Sequence, residues 1–138
     1  MRWDSWITAL HAVGLLLWVG SLVSAFVAAS VTSCDDTTRK LIATRIYRWV
    51  AQPGFWLAFT FGAIRLGMDW HHYLVATHFM HAKLMLALVA IVAHHFVGAR
   101  IRSSASARAF HTPATTSAVV LFGVSCLAAV IIVVVRPV

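Results

Sequence analysis

The residues with chemistry to offer are imidazoles and one ammonium set in apolar surroundings. His11 lies within one apolar run, and His81, Lys83, His94 and His95 lie within another. Ionisable groups inside a membrane span are costly and are by default candidates for function. Two imidazoles facing each other across a helical bundle can supply both axial ligands of a b-type haem, and His11 and His81 are the pair expected at matched depth. On a helix, Gly14, Leu15, Trp18, Ser21, Leu22 and Ala25 share the face of His11. Small residues there admit a flat macrocycle or a neighbouring helix, so Gly14 and Trp18 join His11 as candidate cofactor-binding positions. The plainer reading of His11 is a packing histidine hydrogen-bonded to a neighbour.

Further along, His81 and His95 are fourteen residues apart, which puts them near one helix face and about 21 Å apart along its axis. Lys83 falls on nearly the opposite face, which it shares with His94. There it can meet a substrate carboxylate, assist proton removal, or snorkel to the interface. His94, His95 and His111 approach one end of the protein, as a second site or as interfacial residues. Met68, His71, His72, His78 and Met80 make a loose set of ligands suited to copper, with no strict spacing. Phe55, Trp56, Phe59 and Phe61 read as packing or lipid-facing residues rather than a cofactor box.

The elements that must hold these residues are membrane helices. Of 138 residues, 61% are hydrophobic and 11% charged, with a mean hydropathy of +0.85. That points to the bilayer as solvent. Four spans are expected, at about 6–32, 46–68, 75–99 and 112–135, in one all-α, integral membrane four-helix domain over residues 1–138. Val27-Ala28-Ala29 resembles a signal cleavage site, but the thirty uncharged residues between Asp4 and Asp35 exceed a signal peptide's apolar core. Pro53-Gly54 should kink the second span or set its start, and that span's shortness also fits a re-entrant segment. Pro113 opens the last one.

Net charge is +7. The basic residues cluster between apolar runs, a pattern for anionic lipid headgroups rather than nucleic acid. Seven Lys/Arg (Arg39, Lys40, Arg45, Arg48, Arg100, Arg102, Arg108) flank one side and three (Arg2, Arg65, Arg136) the other. The positive-inside rule then puts the basic connections in the cytoplasm and both termini outside, with a bacterial inner membrane as the expected location. Cys34 and Cys126 fall at different depths, and there is no Cys-x-x-Cys-His, which excludes covalently attached c-type haem. The small-residue surface suits a homo-oligomer, with no face singled out.

In order, Leu10-His11 with Trp18-Val19-Gly20, Arg45-Ile46-Tyr47-Arg48 with Pro53, Thr60 and Gly62, His81-Ala82-Lys83-Leu84 with His95 and Gly98, and Pro113 with Val135-Arg136-Pro137 cover nearly the whole chain. This series resembles the HemJ-type protoporphyrinogen IX oxidases, small four-helix membrane proteins that bind haem b. The resemblance implies oxidation of a tetrapyrrole substrate, protoporphyrinogen IX, with electrons passed to a membrane acceptor such as a quinone. It implies His11 as the first iron ligand and His81 as the second. The sequence departs from the family at Ser24 to Ala29, where members carry a Pro-Arg pair and then Tyr-His. That bears on the oxidase activity more than on haem binding. Two alternatives follow: a non-catalytic haem-binding electron-transfer subunit of a larger membrane complex, and a CopD-like copper-handling membrane protein.

Overall fold

The computed structural model describes residues 3–30, 33–76, 79–104, 106 and 110–135, with the side chains of all of these except 76, 79 and 133–135. Arg2, His78, Arg108 and Arg136-Pro137 of the sequence argument lie outside the described residues. The described chain is helical, with no strand. Helix α1 is Trp3–Ser30, α2 Asp36–Ile46, α3 Gln52–Met68, α4 Phe79–Ser103 and α5 Pro113–Val135. Among the described residues three helical stretches, Trp3–Ser30, Met80–Ser103 and Pro113–Ile132, are long and apolar enough to cross a membrane.

Local chemistry sets the boundaries. Asp35 caps α2 by accepting the Thr38 backbone N–H at 3.0 Å. Pro53 has no N–H to offer the carbonyl four residues back. Just before it, Tyr47–Ala51 widens into a π turn, in which the Gln52 N–H reaches the Tyr47 carbonyl. The helix therefore continues from α2 into α3 and the π turn absorbs the proline, so residues 46–68 are helical throughout. By itself α3 has 17 residues, short of the roughly 20 that span a bilayer. Helix α4 runs beyond residue 99, the end read from the sequence, and Arg100 and Arg102 sit favourably in its last turn.

Helix α1 packs antiparallel on α3, and α4 packs on α5. Glycines bring the first two backbones into contact. A Cβ on Gly14 would strike the Ala58 backbone, and one on Gly54 would lie 2.7 Å from the Trp18 nitrogen. The pairs meet through large side chains centred on Trp18, whose ring lies 5.2 Å from Phe55, 5.2 Å from Phe122 and 5.6 Å from His94. The buried face of α1 is Gly14, Trp18, Ser21, Leu22, Ala25 and Ala29, matching the helical face expected from the sequence.

Burial is uneven along the axis. From Gly14 to Ala29, Ala43 to Ala58 and Ala90 to Ile101, each helix turns a fully buried stripe inward. Toward the other end, residues 3–13 of α1 and 81–89 of α4 include none that is fully buried. The core thus sits in the half that carries the basic connections. Large apolar side chains cover the outside, such as Met85 at 66% and Val92 at 61% exposed, as expected of helices immersed in lipid.

Candidate functional site

His11 stands where the closed half of the protein gives way to the open half. Its Nδ1 lies 2.7 Å from the Ala58 carbonyl oxygen. A carbonyl only accepts, so Nδ1–H is the donor and Nε2 carries the lone pair. A ligating histidine is commonly oriented in this way. The ring rests on Gly62, where an added Cβ would meet Cε1 at 2.8 Å and Nδ1 at 3.0 Å. The face Gly54, Ala58 and Gly62 of α3 is thus shaped at its last position to hold an imidazole. Beside it, Lys83 lies within electrostatic range of His11. One turn or two toward the helix ends, Arg65 pairs with Asp4 at 2.7 Å and lies over the Tyr73 ring at 5.5 Å.

Helix α4 has two unlike faces. Ala90, Ala93, His94, Val97 and Ile101 are buried, and Lys83, Leu86 and Ala87 continue that stripe as half-buried residues. His81, Met85, Leu88, Val92 and His95 form an exposed stripe. The protein therefore brings Lys83, rather than His81, toward His11. No hydrogen bond or ring contact joins His11 to His81 among the described residues. The physical reason is packing, since the small residues Ala90, Ala93 and Gly98 let that side of α4 approach its neighbours while the bulky side faces lipid.

His94, which in the sequence stands out no more than His95 or His111, is the most buried imidazole among the described residues, 1% exposed. The indole N–H of Trp18 donates to its Nδ1 at 3.0 Å. Its Nε2 lies 3.3 Å from the Tyr47 hydroxyl. Because an indole only donates, Nδ1 is the acceptor and Nε2 carries the proton toward Tyr47. The ring is sandwiched between Phe55 at 5.0 Å and Tyr47 at 5.2 Å, both nearly parallel to it. The π turn delivers Tyr47 to this place, and the Tyr47 hydroxyl fills the space a side chain on Gly98 would need. Both nitrogens of His94 are engaged, so it serves as a polar brace between the helix pairs. The signal was available, because Lys83, His94 and the small residues of α4 share one face.

His95 meets the Phe55 ring edge to face at 5.5 Å and the adjoining His94 ring at 5.2 Å, and His111 contacts Ser30 at 3.2 Å and the Phe26 ring at 4.8 Å. These three histidines serve different contacts. In the set suited to copper, Met68, His71 and His72 are exposed and Met80 is buried. No group of three or more His, Cys, Asp or Glu side chains converges on a metal position among the described residues. Phe55 is core, whereas Trp56 and Phe59 are exposed on the outside. Comparison with known proteins gave no match to a family model, to a curated protein or to a solved structure.

Proposed function

We propose that the chain is a haem-b-binding membrane protein of the HemJ type, with His11 as the iron ligand and four spans whose basic connections face the cytoplasm. The observation that carries this is the His11 ring, seated on Gly62 with its Nδ1–H held by the Ala58 carbonyl and its Nε2 lone pair left for a metal. The half-buried inward stripe around it, with no fully buried residue on α1 before Gly14, suits a flat group lying between the helix pairs. Bound haem supplies one-electron redox chemistry.

The chain's own residues hold and orient. Ala58 fixes the His11 tautomer, Lys83 offers an ammonium to a porphyrin or substrate carboxylate, and the Asp4–Arg65 pair ties the ends of α1 and α3 together beside it. On this reading the protein oxidises protoporphyrinogen IX to protoporphyrin IX, with a quinone as the electron acceptor and Lys83 placed against the substrate. Among the described histidines His81 is exposed, which supports His11 rather than His81 as the protein ligand.

A second reading has its own observation. At the far end of α1, where family members carry arginine, Ala25 and Ala29 are buried against the rest of the core and present no cation. That favours a haem-binding electron-transfer subunit without oxidase activity. The test is purification from haem-replete cells, an absorption spectrum, and turnover of protoporphyrinogen IX with a short-chain quinone. A Soret band in the native protein that His11→Ala abolishes and His81→Ala keeps is the expected result. Retention of the band in His11→Ala, or its absence from the native protein, overturns the reading. A haem spectrum without turnover selects the subunit, and bound copper without haem selects the copper-handling alternative.

A further inference from the structure

The basic end of the protein contains a small cavity remote from His11. Its walls are Ala29 of α1, Lys40 and Ala43 of α2, Ile101 of α4, Ser104 just past its end, and Ser106 and Phe110 before α5. The space is about 10 Å³, enough for one oxygen atom of a water or of an anion. Ser104 is 7% exposed and its Oγ has no hydrogen-bond partner, although it lines this space. Its backbone N–H is already donated to the Arg100 carbonyl at 3.0 Å, so the hydroxyl is the group left over. Buried hydroxyls are rarely left without a partner. Nearby in sequence, Arg39 pairs with Asp36 at 3.1 Å through one terminal nitrogen, while its Nε is buried without an acceptor.

A hydroxyl donor, a lysine and an oxygen-sized space together fit an acceptor bearing negative charge. Lys40 is half-buried and lines the same space, so an acceptor of negative charge suits the cavity better than a neutral one. We infer that the cavity takes one oxygen of a phosphate group, with Ser104 Oγ donating to it and Lys40 supplying the opposite charge. The remaining phosphate oxygens stand at the basic surface of α2 and α4. A phospholipid headgroup and free phosphate share this chemistry, and the two are separable by experiment.

The full-length protein in detergent would be titrated with short-chain phosphatidylglycerol and, separately, with inorganic phosphate, and binding read by calorimetry and native mass spectrometry. Saturable binding is expected, weakened about tenfold in both Lys40→Gln and Ser104→Ala, as for loss of a charge-assisted hydrogen bond. Ser104→Ala keeps the backbone and the space, so its melting curve should stay near that of the native protein and the binding comparison remains valid. Saturation by the lipid alone assigns a headgroup site, and saturation by both assigns a site for phosphate itself. The proposal is overturned if neither ligand saturates, or if both variants bind as the native protein does. It is also overturned if Ser104→Val, which fills the space without a hydroxyl, melts higher and binds unchanged, since the cavity would then hold water only.

Discussion

A Cβ at Gly98 would overlap the Tyr47 hydroxyl, so Gly98→Ala is expected to destabilise the fold by about 1–3 kcal/mol, the usual range for overpacking. Tyr47→Phe in the same chain should recover part of that loss, since the ring carbon behind the hydroxyl is also close. Unfolding in mixed micelles measures both. Trp18→Phe keeps most of the ring packing but leaves His94 Nδ1 buried without a donor, for an expected loss of about 1–3 kcal/mol. Trp56→Phe, at a site 58% exposed, should stay within about 0.5 kcal/mol. At Gly62 the added methyl of Gly62→Ala would push the His11 ring off the Ala58 carbonyl. The expected result is weaker haem retention and a shifted Soret band, with the Trp18–His94 brace intact. None of these pairings was legible as a pairing in the sequence. His11 and Trp18 stood out by type and position, while Tyr47 read only as a residue at the edge of a span, because its inward turn depends on the π geometry ahead of Pro53.

The contact between α1 and α3 rests on backbone meeting backbone at Gly14 and Gly54, and this sets how each glycine responds to change. Gly54→Leu forces a side chain into the Trp18 and Leu17 backbone and should fall at or beyond the upper end of the about 1–3 kcal/mol seen for overpacking. Gly20→Ala, with nothing within 4 Å, should be neutral or stabilising by up to about 1 kcal/mol through helix propensity. At the start of α2, the side-chain and backbone hydrogen bonds from Thr38 hold the Asp35 carboxyl below the usual carboxylate range. A lowered folded pKa means that the cap's contribution is complete above the unfolded pKa and disappears as pH falls through the folded one. Thr38→Val should raise the Asp35 titration toward its ordinary position, as read by NMR of the carboxyl carbon. The helix at 46–68 was readable in the sequence from its apolar run, whereas α2 and its Asp35 cap lie in a stretch that reads there only as a basic connection. Which face of α4 turns inward was the ambiguous part. His81 and Lys83 sit on opposite faces, and only the small residues on the side of Lys83, weighed against the bulk of Met85 and Val92, decide between them.

At the scale of the whole molecule, helical content and three membrane-length helices follow from hydropathy, because the bilayer permits few other solutions. Pairing was less legible, since α1–α3 and α4–α5 packing depends on glycines and alanines scattered through apolar sequence. Cys34 is exposed at the start of the basic connection, so the proposed orientation predicts labelling by a membrane-impermeant maleimide from the cytoplasmic side only. Labelling from the outside would invert it. The burial gradient along the axis has one more consequence. In a bilayer, the half-exposed surroundings of His11, about 12 Å along α1 from its first residue by helical rise, border on acyl chains. A hydrophobic ligand then reaches His11 by dissolving in the membrane first, and its mole fraction in lipid sets occupancy. Adding empty vesicles at constant total ligand should dilute the ligand and lower occupancy, even though its amount in the tube is unchanged.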